Sequence, residues 1–116
     1  ENIEAISIVD NYLEHSRVYI FGNEENPEVF ISSADFMTRN LDARVEVTCP
    51  IYDEDIKNEL INTFNIGWKG NVKARIISEK LDNKYRIRGN SPVFRAQFET
   101  YNYYSNQIEV IDEEGV

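Results

Sequence analysis

Short runs of β-branched and aromatic residues alternate with polar positions along the first half of the chain. Such runs are typical of strands, and they cover residues 3–9, 17–21 and 29–32. Residues 22–28, GNEENPE, combine glycine, asparagine and proline, so the second and third runs should form a hairpin around this turn. A fourth strand is predicted over 43–49, after a loop or short helix at 33–42.

Helical spacing appears further along the chain. An amphipathic helix is predicted over 54–66, with Asp53 as its N-cap. Its apolar positions recur three or four residues apart, at Ile56, Leu60, Ile61 and Phe64. A last helix should begin with Ser91 as N-cap and Pro92 at the first helical position. Its apolar face would carry Phe94, Phe98, Tyr101 and Ile108.

The remaining elements complete an α/β pattern. A short helical turn is predicted over 10–15 and a further strand over 73–78. Because a hairpin is embedded among strands and helices, we predict a mixed β-sheet flanked by helices. The 116 residues suit one compact domain over 1–116. The opening, ENIEAISIVD, resembles a strand already under way and suggests a piece of a larger protein.

Charge narrows the classes of partner. The net charge is −9, which argues against a general nucleic-acid binder. Basic residues nevertheless outnumber acidic ones by eight to two over 69–95. This segment fits either a localised anion site or a solvated basic hairpin. The single cysteine, Cys49, cannot form an internal disulfide, which favours a cytoplasmic protein.

Candidate chemistry begins at the one histidine. His15 lies two residues before Arg17, and in an extended segment both side chains point to one face. Histidine can exchange a proton near neutral pH, and arginine can bind phosphate through two parallel hydrogen bonds. Arg39 and Arg44 follow a serine-rich loop at the start of the fourth predicted strand. Alternatively, Arg39 pairs with a nearby acid and Arg44 lies on a solvated edge.

The spacing of these residues resembles the half-motif of the phospholipase D superfamily. That motif has H-x-K, followed by an aspartate and then by G-S-x-N. An arginine lies six residues after the serine, and a glutamate lies seven residues after the arginine. Here Ser33, Arg39 and Glu46 keep these spacings. The chain departs from the motif at four positions, where Arg17, Gly22, Ser32 and Asp35 replace lysine, aspartate, glycine and asparagine. These departures make a phosphodiesterase less suitable.

Four blocks in order resemble the C-terminal catalytic subdomain of the polyphosphate kinase family. They are LEHSRVYIF at 13–21, SSADFMTRNLDARVEV at 32–47, VKARI at 72–76, and RGN with RAQ at 88–97. The resemblance implies one half of a phospholipase-D-like fold, truncated from a longer enzyme. It also implies reversible transfer of the terminal phosphate of ATP to inorganic polyphosphate. The resemblance further implies that the phosphorylated histidine of the family lies on another subdomain; the one histidine of this chain is His15.

Residue roles follow from the same resemblance. His15 matches the second histidine of the family, which contacts the nucleotide phosphates and can act as an acid. Arg44 matches an arginine near those phosphates, with Arg17 and Arg39 as supporting phosphate ligands. Mg²⁺ is expected in the full enzyme with its ligands outside this chain, so no metal residue is assigned. The expected partners are ATP, ADP, polyphosphate and the remaining subdomains, with no nucleic acid.

Further expectations concern the parent enzyme. We expect a cytoplasmic homo-oligomer, with membrane association left open, and we expect the isolated chain to be inactive. Two other classes stay open. One is a phospholipase-D-like phosphodiesterase half completed by dimerisation, and the other is a non-catalytic scaffold domain that has kept the fold.

Overall fold

The computed structural model describes residues 2–114, with side chains described through residue 108. Within that part of the chain the elements are β1 Ile6–Ile8, β2 Val18–Phe21, β3 Glu28–Ser32, α1 Thr38–Ala43, β4 Thr48–Ile51, α2 Glu54–Lys69, β5 Ala74–Ile76 and α3 Ala96–Glu114. The α/β class is therefore confirmed. The chain forms two compact units, one of residues Glu14–Asn62 and the other of the described residues up to Leu13 and from Thr63 on.

The unit of residues Glu14–Asn62 is built on a three-stranded antiparallel sheet in the order β2-β3-β4. The predicted hairpin between β2 and β3 is confirmed, with Val18 opposite Ile31 and Ile20 opposite Val29. Val29 on the central strand is only 2% exposed, so the small core of this unit lies on its face of the sheet. Burial of such a side chain contributes roughly 1.5–3 kcal/mol relative to exposure.

The fourth strand begins later than the sequence predicts. It covers Thr48–Ile51 rather than 43–49, and Val45 is 99% exposed. The reason is a tertiary contact, because the backbone N–H of Val47 donates to the hydroxyl oxygen of Ser33, 14 residues earlier, at 3.0 Å. That side-chain bond takes the place of a ladder bond at this position. Regular pairing of β3 with β4 starts one residue further, where Thr48 faces Ser32.

The other unit contains a separate two-stranded sheet in which β1 pairs with β5. Ile6 faces Ile76 and Ile8 faces Ala74, in antiparallel register. The prediction of one mixed sheet was therefore wrong, since every strand pairing in the described residues is antiparallel. The first strand pairs with one about 70 residues away, which local sequence patterns do not reveal.

Helix α2 begins as predicted and ends later. The Asp53 carboxylate accepts hydrogen bonds from the backbone N–H groups of Asp55 and Ile56, each at 3.0 Å, which confirms the N-cap. The helix continues to Lys69 rather than stopping at 66. At Gly70 a Cβ atom would lie 3.2 Å from the Cβ of Ala96, so the absence of a side chain allows the chain to approach α3.

Helix α3 begins at Ala96, and the predicted start at Ser91 and Pro92 was wrong. The Asn71 amide donates to the Pro92 carbonyl at 2.8 Å and accepts from the Phe94 backbone N–H at 2.9 Å. These bonds hold the segment in a non-helical conformation. The predicted apolar face is largely exposed, at 46% for Phe98, 73% for Tyr101 and 61% for Ile108.

The segment 10–15 is not helical, because tertiary hydrogen bonds fix its backbone. The Gln97 amide accepts from the Tyr12 N–H at 3.1 Å and donates to the Tyr12 carbonyl at 2.7 Å. Beside it, the Arg95 guanidinium donates from Nε to Asp10 Oδ2 at 2.9 Å and from Nη2 to Asp10 Oδ1 at 2.5 Å. The two pairs attach the end of the β1 segment to the start of α3.

No helix in residues 2–114 has the combination of length and hydropathy that a membrane span requires.

We predict that Asp10→Asn lowers the melting temperature at pH 7. The hydrogen bond from Arg95 lowers the pKa of Asp10. Its stabilising contribution is therefore present above the unfolded-state pKa of about 3.9 and is lost as the pH falls through the folded-state value. The difference between wild type and variant should shrink below about pH 4. Thermal unfolding from pH 7 to pH 3 measures it, with exposed Glu4→Gln as the control.

Candidate functional site

The predicted residues His15 and Arg17 meet immediately before β2. Arg17 Nη2 lies 2.6 Å from His15 Nε2, and Arg17 Nε lies 2.6 Å from Asp35 Oδ1. Because a guanidinium only donates, His15 Nε2 accepts this bond, and the proton of the neutral ring lies on Nδ1. The His15 side chain is 64% exposed, so Arg17 orients the ring while its Nδ1 edge remains accessible.

Asp35 anchors this arrangement electrostatically. The hydrogen bond from Arg17 lowers the pKa of Asp35 and, reciprocally, the bond to Asp35 raises the pKa of Arg17. Burial acts against both shifts, because it disfavours the charged forms. Asp35 Oδ1 also lies 3.5 Å from His15 Nε2. The three side chains therefore form one cluster with a charged Arg17–Asp35 pair at its base.

Arg17 and Asp35 are two of the four positions at which the chain departs from the phospholipase D pattern. The structure shows that these two departures contact each other directly. A lysine and an asparagine at the same places could make one hydrogen bond without a fixed fork. The arginine–aspartate pair instead leaves a second guanidinium nitrogen free to contact His15, which ties the two substitutions to one geometry.

The serine loop is held by Glu46. The Ser33 hydroxyl donates to Glu46 Oε2, and the Asn40 amide donates to Glu46 Oε1 at 2.7 Å. The same Ser33 oxygen accepts the Val47 backbone N–H at 3.0 Å, and the Ser33 N–H donates to the Val47 carbonyl at 3.0 Å. Ser33 and the segment around Glu46 are thus joined by a hydrogen-bond network that includes helix α1.

Sequence reasoning missed Asn40. One alternative from the sequence was that Arg39 pairs with a nearby acid. Instead Asn40 makes the contact with Glu46, and the Arg39 side chain has no ion pair in the described residues. Asn40 is 4% exposed, whereas Arg39 is exposed. The sequence offered little signal for Asn40, because this residue carries no charge and fits no motif position.

Arg44 lies at the C-terminal boundary of α1, in extended backbone. Its side chain is exposed and has no ion pair in the described part of the chain. Hydrogen bonds from Ser33 and Asn40 are the main causes that lower the pKa of Glu46, and the positive charges of Arg44 and Arg17 lower it further. Both guanidinium groups therefore lie within electrostatic reach of the Glu46 carboxylate.

A shallow cavity of about 230 Å³ adjoins the cluster. Its wall consists of the start of β2 and the end of the serine loop: Ser16, Arg17, Val18, Tyr19, Ala34, Asp35 and Phe36. The Phe36 ring is 82% exposed and packs edge-on against Tyr19 at a centroid distance of 5.7 Å. The cavity is therefore lined by both a charged pair and two aromatic rings.

The basic segment 69–95 is largely engaged in contacts within the fold. Arg75 donates to Tyr85 and to the Lys73 carbonyl, and Arg86 donates to the Trp68 carbonyl with its guanidinium 5.5 Å from the Trp68 ring. Arg88 donates to the Ser91 carbonyl, and Arg95 binds Asp10. All four arginines of this segment thus have partners within the fold, which favours a structural role for them over a localised anion site.

The described carboxylates at this site do not fit a divalent cation. Asp35 is bound by Arg17, and both Glu46 oxygens accept hydrogen bonds. No group of three or more histidine, cysteine, aspartate or glutamate side chains within the described residues could hold a metal ion.

Comparisons with known proteins identify the family of the chain. Residues 1–97 match the family model described as polyphosphate kinase C-terminal domain 2. The chain belongs to the polyphosphate kinase family. It is 49% identical over 106 residues to the polyphosphate kinase of Vibrio cholerae and 50% identical over 103 residues to that of Escherichia coli K12. These matches cover 91% and 89% of the chain, which spans 15% of each relative.

A solved polyphosphate kinase has the same fold. The structure from Porphyromonas gingivalis superposes with a TM-score of 0.90 at 41% identity, covering 94% of this chain and 17% of that one. The resemblance inferred from the four sequence blocks is thereby confirmed.

We predict that Arg17→Lys and Asp35→Asn are energetically coupled. Each change alone should reduce the free energy of unfolding, and the double change should reduce it by less than the sum, because the residues share a direct hydrogen bond. Urea denaturation of the four proteins measures the coupling. Arg39→Lys combined with Asp35→Asn is the matched control and should be additive. Additivity in the Arg17 cycle would contradict the pairing.

Proposed function

We propose that this chain is the C-terminal part of a polyphosphate kinase that reversibly transfers the terminal phosphate of ATP to inorganic polyphosphate. The observation that carries the proposal is the cluster in which Asp35 fixes Arg17 and Arg17 orients the exposed His15. In our proposal the chain supplies phosphate-binding and proton-donating groups, and a histidine on another subdomain is the nucleophile. This half-site is of the phospholipase-D-like type.

The transfer itself is a two-step exchange. A nitrogen of the nucleophilic histidine forms a bond to the terminal phosphorus of ATP, while the bond from that phosphorus to the bridging oxygen breaks and ADP leaves. A terminal oxygen of polyphosphate then attacks the phosphohistidine and releases the histidine nitrogen. Catalysis of such a reaction requires mainly positioning and stabilisation of charge on the phosphoryl oxygens.

His15 and the arginines have separable roles in this scheme. When protonated on both ring nitrogens, a form in which Nε2 no longer accepts from Arg17, His15 donates to the leaving diphosphate, or to the phosphoramidate nitrogen in the return step. Arg44 binds phosphate oxygens. This role is supported by its exposed side chain, which has no ion pair with a described residue. Arg17 contributes fixed positive charge and orients His15. Arg39 is a weaker, peripheral phosphate ligand on the exposed surface of α1.

The proposal extends to the whole parent enzyme. ATP, ADP and polyphosphate are its substrates and products, and the remaining subdomains complete the site. Mg²⁺, where the enzyme uses it, is held by residues outside this chain. A cytoplasmic location and a homo-oligomeric parent remain predictions. The isolated chain should form no polyphosphate from ATP, because its one histidine is not the nucleophile.

We predict that His15→Ala and Arg44→Ala, made in the full-length parent, each lower polyphosphate synthesis by about tenfold or more. The first change removes the proton donor, and the second removes a positive charge from the phosphoryl oxygens. Incorporation of labelled phosphate from ATP into polyphosphate measures both. Lys80→Ala removes one positive charge from an exposed position in the other unit and is the matched control.

Near-normal synthesis in both variants would contradict the assignment. Phosphodiesterase activity in the wild-type parent, without polyphosphate synthesis, would favour the alternative enzyme class instead. A parent that neither synthesises polyphosphate nor binds ATP would favour the scaffold class.

A further inference from the structure

Asn40 occupies an unusual position for an amide side chain. It is 4% exposed, its Nδ2 donates to Glu46 Oε1 at 2.7 Å, and its Oδ1 is buried without a hydrogen-bond partner among the described residues. An unpaired buried carbonyl oxygen destabilises the folded state, whereas an apolar side chain of similar shape would avoid that cost. The presence of an amide is therefore explained by the hydrogen bond that its N–H group donates to Glu46.

The Glu46 carboxylate joins the two segments of the candidate site. Glu46 lies two residues after Arg44, and Ser33 lies two residues before Asp35, which fixes Arg17. Glu46 accepts from Asn40 with one carboxylate oxygen and from Ser33 with the other. If Glu46 rotated away, α1 would lose its link to Ser33 through this carboxylate, and the serine loop would keep its bonds to Val47 and Thr48.

We propose that Asn40 is a positioning residue for phosphoryl transfer. Its amide N–H fixes the orientation of the Glu46 carboxylate, and that carboxylate sets the position of Arg44 relative to the Arg17–Asp35 pair. This role rests on the proposed function of the parent enzyme. Asn40 itself touches no reacting atom, and what the site requires is an intact hydrogen bond between positions 40 and 46, with a donor facing an acceptor.

The direction of this bond can be reversed by two nearly isosteric substitutions. Asn40→Asp alone places two carboxylates against each other at a buried position, where like charges repel strongly. Combining it with Glu46→Gln restores both side-chain bonds. The amide N–H introduced at position 46 then donates to the carboxylate introduced at position 40, and the new amide oxygen accepts from the Ser33 hydroxyl.

The experiment compares wild type, the two single variants and the double variant of the full-length parent. We expect Asn40→Asp to lower kcat/KM for ATP in polyphosphate synthesis by about tenfold or more, and the double variant to recover most of that loss. Glu46→Gln alone should lose less, because its carbonyl oxygen can still accept from Asn40. Thermal unfolding of the same proteins separates loss of folded enzyme from loss of positioning.

The pH profile supplies a readout that lost packing would not change. In Asn40→Asp the two carboxylates form a coupled pair, and one of them should hold a proton at a raised pH. The protonated carboxyl group at position 40 then donates to Glu46 as the amide did. Activity relative to wild type should therefore rise as the pH falls from about 8 to about 6. Asn40→Leu, which has no proton to supply, is the control and should show no such recovery.

Two outcomes would overturn the role of Asn40 while the wild-type parent remains active. One is a folded double variant no more active than Asn40→Asp, and the other is a ratio of Asn40→Asp to wild-type activity that does not change with pH. If Asn40→Asp does not fold, a folded and active double variant supports the proposal, and a folded double variant reduced tenfold contradicts it. A wild-type parent without polyphosphate synthesis would instead contradict the proposed function.

Discussion

The candidate site depends on the carboxylate of Glu46, which accepts hydrogen bonds from two segments that are apart in sequence. Ser33 reaches it from the loop after β3, and Asn40 reaches it from α1. The same Ser33 oxygen takes the backbone N–H of Val47, so the regular ladder of β4 begins only at Thr48. One side-chain network thus determines both where the strand begins and where the serine loop lies.

The Arg17–Asp35 pair adds charge to this framework. The pairing keeps Arg17 charged and directs its Nη2 to His15. The imidazole is therefore oriented by a guanidinium group, which cannot accept a proton. The negative charge of Asp35 also offsets part of the positive field of Arg17. Arg44 has no such partner in the described residues, and this is why we propose it as the better phosphate ligand of the two.

Local signals predicted the elements whose causes are local. The β2–β3 hairpin follows from its turn residues, and the start of α2 follows from the Asp53 cap. The errors have distant causes. The start of α3 is displaced by Asn71, some twenty residues upstream, and the separate second sheet results from pairing between β1 and β5.

The site shows the same division. The approach of His15 to Arg17 follows from their spacing of two residues, and the spacing of Ser33 and Glu46 predicted that both belong to one motif. Asn40 could not be found in this way, because its burial and its hydrogen bond to Glu46 are visible only in the fold. The departures at Arg17 and Asp35 were visible in the sequence, but their mutual contact requires the fold.

The most direct test of the central claim is a crystal structure of the full-length parent with a non-hydrolysable ATP analogue. The account predicts that the His15 ring and the Arg44 guanidinium both lie within about 3.2 Å of phosphate oxygens. It also predicts that the Arg17–Asp35 and Asn40–Glu46 bonds remain intact. Phosphates bound on another surface, with His15 and Arg44 both directed into solvent, would contradict it.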